Sequence, residues 1–594
     1  MKKHYETHVE DTDKLISVAG PILEYKSWYE QYRKLMEEQA QRKYGLYTPT
    51  SEGDDDDFPS IPGMIARYSA SGLTNEQMAA NPVWVDKTGN GHDIQLKNFS
   101  WKGMSGVGGY VQNFNYFRNN ATVDKVRIDE QSSNSIKVTL LTSGMGYVIY
   151  IPKNIYQFNK SYFIKISSEG YNEGDLFLSF YAPSTSTATT VKVPLNPNGI
   201  TEIPAIKEDD FLAVYLFNAA GAVGSITIEQ LPIYPGALVF DGVDDWAGCD
   251  NLPLLPKEKG YSIIALRNWI TRYDATQYKR PLISNLDTND EGAFLIEYRK
   301  DENVNDVTGS YNSFTDVYID DNNPITWQTS SSYNGQIIKK GTSKSTNKLC
   351  ICKTYFGQLS NYANAAIWEI VILDHDATEE ELTKIKDYFV KTYPWLFPDQ
   401  AWTVVGKTNE DEDRATIANI TGNGNDLILS NLGFAEGGGY NEEGEYAGYL
   451  VTDGVDDKIT SSTFEMGNDW TVIGDWELIN TGKNDNAGIV KFDSIVIYNY
   501  NPILINIKNG RNNLIPDQNT VNAICSDGRI YSKDWKESIY NEETESTSKN
   551  LLTIGYSGNT YTKIAFKNLA IYPTVLSRED CIKAYNYLQT LKAK

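Results

Sequence analysis

Short runs in which apolar and polar positions alternate make up much of the chain, and a period of two is typical of half-buried β-strands. The pattern is densest between residues 113 and 234, in the runs SIKVTLL, YVIYIP, SYFIKIS, DLFLSFYA, TVKVPL, FLAVYLFN and SITIEQLPIY. Seven or eight strands at such short intervals predict a β-sandwich or jelly roll. We therefore predict a mainly β fold.

Two copies of one sequence pattern organise the rest of the chain. Residues 88–98 read TGNGHDIQLKN and residues 421–431 read TGNGNDLILSN, so seven of eleven positions are identical. The motif DGVDD follows at 241–245 and again at 453–457. This repetition predicts tandem β-sandwiches of the same kind.

Each copy ends in an apolar strand followed by a helical pattern. Thr378 and Ser577 are the predicted N-caps, because an acidic residue, Glu381 or Asp580, follows each of them three positions later. The predicted apolar stripes are Leu382, Ile385 and Phe389 in the first helix, and Cys581, Ala584 and Leu588 in the second. We predict that each short helix closes off its sandwich.

The two copies differ in the distance between these motifs. Gly89 and Gly242 lie 153 positions apart, whereas Gly422 and Gly454 lie 32 apart. The excess has the size of a domain, so we predict a module inserted into the first copy. The predicted domains are residues 63–112 with 235–396 for the first repeated sandwich, 113–234 for the inserted sandwich, and 397–594 for the second repeated sandwich.

The start of the chain follows a different pattern. Within residues 1–50, residues 14–45 have a helical apolar spacing, broken or kinked near Pro21, that places Trp28, Tyr32 and Leu35 on one stripe. Residues 51–62 are acidic and contain proline, which is typical of a linker. A helix with so little to pack on in its own chain is expected to pack on a partner or on its own copies. We predict a helical attachment or oligomerisation segment followed by an acidic linker.

Charge narrows the range of partners. The 594 residues include 54 Lys and Arg against 78 Asp and Glu, a net charge of −24, which predicts no nucleic-acid partner. No apolar run reaches the roughly 18 residues of a membrane-spanning helix, and none follows the basic pair at the start, so we expect neither membrane insertion nor a secretory signal. Five scattered cysteines and four histidines favour no disulfide framework and no metalloenzyme.

The TGNG motif is predicted to form a turn, because its glycines and asparagine accept positive φ. A phosphate-binding loop would need GxxxxGK[ST] between a strand and a helix, which this motif lacks. His92 follows the first TGNG and could act as a general base, but its counterpart in the second copy is Asn425. The turn therefore does not need imidazole chemistry.

The acidic motif DGVDD has two possible roles. Its carboxylates are close enough in sequence to share Ca²⁺, a cation that binds several oxygens. They could instead cap the backbone N–H groups of a tight turn, which is the role we favour. We therefore expect no cofactor, with Ca²⁺ as the alternative. The candidate metal ligands are Asp241, Asp244, Asp245, Asp453, Asp456 and Asp457.

Taken together, these motifs resemble the concanavalin A-like lectin/glucanase sandwich in its laminin-G-like subgroup. The resemblance rests on Trp84 and Asp86 before TGNGHD at 88–93, on LVFDGVDDW at 238–246, and on the closing strand and helix. The inserted module resembles carbohydrate-binding-module-like jelly rolls. A helical segment ahead of such tandem modules is similar to tail-fibre, spike and head-fibre proteins of phages that infect gut Bacteroidales.

This resemblance implies a virion protein that is made in the host cytoplasm and exposed on the particle. It would attach to other virion proteins through residues 1–50, form a homotrimer and bind a host-surface glycan or protein. Aromatic faces stack on sugar rings in lectins, whereas large aromatic residues are more often core. The candidates for glycan contact are Trp101, Trp246, Trp327 and Trp402.

Catalysis is not expected. Glucanases of this fold carry E-x-D-x-x-E on one strand, which puts nucleophile and acid on the same face, and this sequence has no such run. The nearest acidic run, EDEDR at 410–414, has the wrong pattern. We therefore predict a protein that is not an enzyme and has no catalytic residues. The alternatives are a bacterial glycan-binding surface protein and a polysaccharide-degrading enzyme whose carboxylates come from distant segments.

Overall fold

The computed structural model is mainly β, as the sequence predicts, and its described part holds three α-helices. The structure describes residues 57–120, 125–182, 190–208, 211–255, 260–271, 279–287, 294–299, 323–329, 337–340, 346–357, 361–435, 437–444, 446–479, 488–492, 495–498, 504–507, 511–514, 521–532, 535–539, 550–557 and 560–593. The predicted helical segment over 1–50 and most of the predicted linker lie outside these residues. The chain from Phe58 onward forms one compact unit.

The first sandwich is built from two separate stretches of chain. The elements before the insertion are β1 (Met64–Ser69), α1 (Asn75–Ala80), β2 (Val83–Trp84), β3 (Ile94–Lys97) and β4 (Gly106–Val107). Those after it are β15 (Leu238–Asp241), β16 (Trp246–Cys249), β17 (Ser262–Trp269), β18 (Lys279–Ser284), β19 (Phe294–Arg299), β20 (Ile325–Thr329), β21 (Ile337–Lys340), β22 (Leu349–Ile351), β23 (Asn364–Leu373) and α2 (Glu379–Thr392).

Ten strands lie between these two stretches. They are β5 (Arg118–Asn119), β6 (Val126–Gln131), β7 (Ser135–Leu140), β8 (Gly146–Pro152), β9 (Tyr162–Ser168), β10 (Leu176–Tyr181), β11 (Val191–Pro194), β12 (Ile200–Ile203), β13 (Ala213–Asn218) and β14 (Gly224–Gln230). They form two sheets, in the orders β11-β10-β13-β8-β5 and β12-β9-β14-β7-β6. We call the first the aromatic sheet and the second the packing sheet.

The second sandwich occupies the C-terminal third of the chain. Its elements are β24 (Gln400–Thr403), β25 (Thr416–Ile417), β26 (Leu427–Ser430), β27 (Gly439–Tyr440), β28 (Leu450–Val451), β29 (Lys458–Phe464), β30 (Thr471–Leu478), β31 (Gly488–Phe492), β32 (Ile495–Tyr498), β33 (Leu504–Ile507), β34 (Arg511–Leu514), β35 (Val521–Cys525), β36 (Arg529–Ser532), β37 (Glu537–Ile539), β38 (Asn550–Ile554), β39 (Tyr556–Ser557), β40 (Thr560–Tyr561), β41 (Ile564–Tyr572) and α3 (Arg578–Leu588).

The first and second sandwiches have equivalent central strand pairs. In the first sandwich β17 pairs antiparallel with β23, and the register shifts between Leu266 and Arg267. In the second sandwich β30 pairs with β41, and the register shifts at the corresponding place, between Asp475 and Trp476. Because a bulge is a local feature of backbone pairing, its recurrence is structural support for the internal repeat. The predicted boundaries between the three sandwiches stay predictions.

The closing helices begin where the sequence predicts. Thr378 caps α2 and forms a capping box with Glu381, while Ser577 accepts the N–H of Asp580 at the start of α3. These caps satisfy backbone donors that a helix leaves without partners. The predicted stripes are confirmed, since all their residues are buried except Leu382, which is half-buried.

One hydrophobic cluster joins all three pairs of sheets. It contains Phe163 and Ile200 from the packing sheet, Trp368 from β23, and Trp535 and Tyr585 from the second sandwich. Separate clusters fill the interior of each sandwich. The shared cluster therefore buries apolar surface between the pairs of sheets as well as within them.

The described end of the predicted linker is part of this folded unit. Phe58 packs edge-on against Tyr388 of α2, with ring centroids 4.8 Å apart, and the Arg67 guanidinium lies 4.0 Å above the Phe58 ring. Ile61 is also buried. The prediction that the linker extends to residue 62 is therefore wrong, because apolar residues among its last few positions fold against the first sandwich.

Two further sequence expectations concern the described residues. None of their helices is long and apolar enough to cross a membrane. All five cysteines are buried as free thiols in this structure.

Candidate functional site

In the first DGVDD motif the carboxylates hydrogen-bond to the backbone. The Asp241 Oδ1 accepts the N–H groups of Val243 at 2.8 Å and Asp244 at 3.3 Å, and the Asp245 Oδ2 accepts the N–H of Asp241 at 3.1 Å. Gly242 has a φ of +77°, which costs glycine little. These contacts are those of a tight turn capped by its own acidic side chains.

The second DGVDD motif repeats the arrangement. The Asp453 Oδ1 accepts the N–H groups of Val455 at 2.7 Å and Asp456 at 3.3 Å, and the Asp457 Oδ2 accepts the N–H of Asp453 at 2.6 Å. Gly454 has a φ of +78°. Two turns of the same construction at equivalent places of the repeat support a structural role for the motif.

Both motifs also keep their carboxylates close together. Three carboxylate oxygens in each motif lie within 4.8 Å of one another, close enough to share an ion. Burial raises the pKa of Asp245 to about 7 and the pKa of Asp457 to about 6. A bound cation would favour the charged form of the same carboxyl groups, so these pKa values do not distinguish the turn from a Ca²⁺ site. The Ca²⁺ alternative stays a prediction.

The two TGNG turns share a backbone group, rather than a side chain, at the position of His92. Gly89 and Gly91 have φ values of +76° and +81° in the first turn. The Tyr68 hydroxyl donates to the backbone oxygen of His92 at 2.6 Å. At the equivalent place in the second turn, the backbone oxygen of Asn425 accepts a hydrogen bond from Trp402, which occupies the position of Tyr68 in the second copy. The position therefore contributes a carbonyl in both copies.

Trp402 is not available to a ligand. Its side chain is fully buried, and its Nε1 donates to the Asn425 oxygen at 2.9 Å. The prediction that Trp402 contacts a glycan is therefore wrong. A tryptophan in a short strand has the same sequence pattern whether it faces the core or solvent, so only the packing distinguishes the two cases.

Trp101 and Trp246 are half-buried, and each already has a neighbour on its ring. Trp101 stacks on Phe99 with ring centroids 4.9 Å apart. The Lys353 ammonium lies 4.0 Å above the Trp246 ring. One face of each indole is thus occupied by the protein itself, which makes both weaker candidates for glycan stacking.

Trp327 is half-buried and lines a cleft of about 500 Å³ between the first and second sandwiches. Leu382 of α2 and Tyr587 of α3 contribute apolar surface, and Asp399 and Asn423 contribute polar groups. The Asn423 amide donates to the backbone oxygen of Asp399 at 2.7 Å, so part of this polarity is used internally. The volume is typical of a small-ligand pocket, and Trp327 stays a candidate.

The aromatic sheet presents a larger surface that does not involve tryptophan. Alternate residues of β8, β10 and β13 face its core, and the residues between them project outward. Strand pairing places Tyr147 beside Phe217 and Phe217 beside Phe177, while Tyr150 lies beside Tyr215 in the next row. We call this surface the aromatic face, and its residues are Tyr147, Tyr150, Phe177, Tyr181, Tyr215 and Phe217.

Five of the six rings of the aromatic face are in mutual contact, and the sixth, Phe177, pairs with Phe217 across the strands. The Tyr147 centroid lies 4.6 Å from Tyr215, 5.1 Å from Phe217 and 5.4 Å from Tyr181, and the Tyr150 centroid lies 5.6 Å from Tyr215. All six rings are half-buried, so each keeps part of its surface in solvent. A contiguous, partly exposed aromatic patch of this kind marks an interaction site more often than scattered surface residues do.

The hydroxyl groups of this face are neutral hydrogen-bonding groups. Partial burial raises the pKa of Tyr147 and of Tyr215 above the ordinary value for tyrosine. Each phenol can therefore donate and accept at physiological pH while its ring supplies apolar contact. The face combines the two properties that a polyhydroxylated ligand needs.

The aromatic face lies on the side of the inserted sandwich away from the shared cluster. The packing sheet supplies the contacts to the rest of the unit: Phe163 of β9 packs edge-on against Tyr585 of α3, with centroids 5.6 Å apart, and Ile200 of β12 joins the same cluster. The two sheets enclose a separate core between them. The described contacts thus attach the sandwich through the packing sheet, and the partly exposed rings of the aromatic sheet lie on the opposite side.

Sequence reasoning did not find this face, because it considered only tryptophans as ligand contacts. A usable signal was present: aromatic residues occur two positions apart in VYLF at 214–217 and four apart in FLSFY at 177–181. That spacing places them on one side of their strands. The sequence does not say which side is solvent-facing, since this depends on how the packing sheet docks.

Comparisons with known proteins add no family. No protein-family model and no curated protein matches the chain. Among solved structures, the sialidase of Trypanosoma rangeli in complex with sialic acid aligns at 8% identity and a TM-score of 0.23, over 79% of this chain and 85% of the sialidase.

Two neurotoxin domains give similar values. The binding domain of botulinum neurotoxin DC, in complex with rat synaptotagmin II, aligns at 11% identity and a TM-score of 0.21, over 57% of this chain and 91% of that domain. The botulinum neurotoxin serotype D binding domain aligns at 10% identity and a TM-score of 0.20, over 59% and 89% of the two chains. TM-scores this low do not establish a shared fold.

Proposed function

We propose that this chain is a non-enzymatic attachment protein of a phage particle that binds a glycan on the host surface through the aromatic face. The observation that carries the proposal is the set of six half-buried rings on the outer side of the aromatic sheet, opposite the sheet that packs against the rest of the described unit. Such a surface would be costly to leave in water unless it binds something.

The chemistry of the face suits a glycan. A sugar ring has an apolar C–H side that packs on an aromatic ring and hydroxyl groups that exchange hydrogen bonds with phenols. Four of the six rings are tyrosines, Tyr147, Tyr150, Tyr181 and Tyr215, so stacking and hydrogen bonding can come from the same side chains. A purely hydrophobic partner would not need this many hydroxyl groups.

The remaining parts of the chain have supporting roles in this proposal. The lectin-like sandwiches hold the inserted module through the shared cluster, and residues 1–50 attach to other virion proteins and form a homotrimer. The particle assignment rests on the resemblance of the sequence to phage fibre, spike and head-fibre proteins. Mass spectrometry of purified particles tests it: abundance relative to the major capsid protein is expected, and absence would favour a bacterial surface protein.

Binding is tested by replacing one ring at the centre of the face. Tyr215→Ala is expected to lower affinity for intact host cells or their purified surface polysaccharide about tenfold, or ~1.4 kcal/mol, because Tyr215 contacts three neighbouring rings. The matched control is Tyr561→Ala, a half-buried tyrosine in the second sandwich that should not change binding. Equal losses in the two variants would contradict the proposal.

Enzymatic activity is the alternative that the same preparation can address. The protein is incubated with the polysaccharide it binds, and new reducing ends are measured over time. No sustained release is expected. Continued product formation would replace the attachment proposal with a polysaccharide-degrading enzyme.

A further inference from the structure

The strands of the aromatic sheet carry a net positive charge, whereas the chain as a whole is negatively charged. Its five strands contain two cationic residues, Arg118 on β5 and Lys192 on β11, and no aspartate or glutamate. The chain as a whole carries a net charge of −24. The packing sheet of the same module mixes both signs, with Arg127, Lys137, Lys165, Asp129, Glu130, Glu202 and Glu229 on its strands.

The two cations stand at opposite ends of one row across the aromatic face. Backbone pairing places Arg118 beside Tyr150, Tyr150 beside Tyr215, Tyr215 beside Ser179, and Ser179 beside Lys192. The row therefore crosses all five strands. With neighbouring strands about 4.8 Å apart, the backbone positions of Arg118 and Lys192 are roughly 19 Å apart. This distance suits an elongated ligand lying across the strands, with the rings between its two ends.

Both cations are available to a ligand. Each is exposed, and neither forms an ion pair with a carboxylate among the described residues. The Lys192 ammonium lies 4.8 Å from the Phe217 centroid and 5.9 Å from that of Phe177, so it already sits over the aromatic face. Elsewhere in the module, Arg127 and Lys137 have carboxylate partners.

We infer that the ligand of the aromatic face is an acidic polysaccharide, whose carboxylates contact Arg118 and Lys192 while its sugar rings pack on the tyrosines between them. The inference rests on the proposed function and adds the chemical class of the glycan. Its basis is charge complementarity: an acidic protein that binds an acidic chain needs local cations where the chain lies, because longer-range charges are screened beyond about 8 Å at physiological ionic strength.

The test compares acidic polysaccharides with neutral versions of themselves. Polygalacturonate, alginate and hyaluronan are each used in native form and after chemical reduction of their carboxylates to hydroxymethyl groups, and affinity for the full chain is measured by calorimetry. At least one native polymer is expected to bind tenfold or more tightly than its reduced form. Equal binding of both forms, or binding of none of the three native polymers, would overturn the inference.

Variants assign the preference to the two cations. Lys192→Gln and Arg118→Gln are each expected to weaken binding of the native polymer about fivefold and to leave binding of the reduced polymer within twofold. Lys137→Gln on the packing sheet is the matched control and should change neither. An equal loss of affinity for native and reduced polymer would show that the substitutions disturb the folded site rather than remove contacts to carboxylates, and would contradict the inference.

The same measurements separate this inference from the proposed function. If native and reduced polymers bind equally and Tyr215→Ala weakens both, the aromatic face is a glycan site without a charge preference. If Tyr215→Ala changes binding neither to polymers nor to host cells, the proposed function itself fails. Poly-glutamate is included as an acidic polymer without sugar rings, and binding as tight as that of the polysaccharides would overturn the assignment to a glycan.

Discussion

The two sheets of the inserted sandwich have the same number of strands and share one core, yet their outer faces differ completely. The packing sheet turns Phe163 and Ile200 toward the rest of the unit and carries charges of both signs on its strands. The aromatic sheet carries six half-buried aromatic rings on its outer face, and the charged residues on its strands are all cationic. Inward positions build the sandwich and outward positions decide what each sheet meets, since side chains alternate between faces.

The largest expected effect is a loss of stability from a substitution on the packing sheet. Phe163→Ala removes a fully enclosed ring from the shared cluster, so we expect the free energy of unfolding to fall by about 3 kcal/mol. Urea denaturation followed by tryptophan fluorescence measures it. Glycan affinity of the folded variant should stay within twofold. A loss of affinity with unchanged stability would reverse the roles we give to the two sheets.

The next effect is on the aromatic side. Tyr147→Ala removes a ring that contacts Tyr181, Tyr215 and Phe217, so glycan affinity should fall about tenfold, or ~1.4 kcal/mol. Because the ring is only half-buried, stability should fall by about 1 kcal/mol, less than for Phe163→Ala. Calorimetry and urea denaturation on the same preparation give both numbers. A larger stability loss than that of Phe163→Ala would make Tyr147 a core residue.

A smaller effect concerns pH. The pKa values of Tyr147 and Tyr215 are raised by partial burial, so the neutral phenols are favoured and both groups stay protonated until the pH exceeds their ordinary value of about 10. Stability from these groups is present below that pH and is lost as pH rises through the raised values. Affinity should therefore stay within twofold between pH 6 and 9. A step near pH 7 would indicate a different titrating group in the site.

The smallest expected effect is at a charge on the packing sheet. Lys137 is half-buried and its ammonium lies 3.7 Å from a carboxylate oxygen of Glu130, a surface ion pair of the kind that contributes less than about 1 kcal/mol. Lys137→Gln should leave both stability and glycan affinity nearly unchanged. If Lys137→Gln weakened binding as much as Lys192→Gln, the cations would act through the overall charge of the module rather than through their position on the aromatic face.

Much of the fold could be predicted from the sequence because its signals are local. The capping residues Thr378 and Ser577 mark helix starts by short-range chemistry, and the repeated DGVDD motif marks turns in both copies. The apolar alternation between residues 113 and 234 identifies strands for the same reason. Each of these features is decided within a few residues of chain.

The candidate site depends on distant parts of the chain, and there the prediction was incomplete. Trp402 was expected to face a ligand and is buried, whereas the tyrosines of β8 and β13 were not considered at all. Rows across a sheet bring together residues far apart in sequence, such as Arg118 and Lys192. Which side of the strands faces solvent depends on Phe163 docking against Tyr585, a contact that no local pattern specifies.

The most direct test of the central claim locates the ligand on the protein. Hydroxyl-radical footprinting read by mass spectrometry, with and without the bound polysaccharide, compares the oxidation of individual tyrosines. We predict that the bound polysaccharide protects Tyr147, Tyr150 and Tyr215 from oxidation and leaves the oxidation of Tyr561 unchanged. Protection at Trp327 in the cleft, with the aromatic face still fully oxidised, would contradict it.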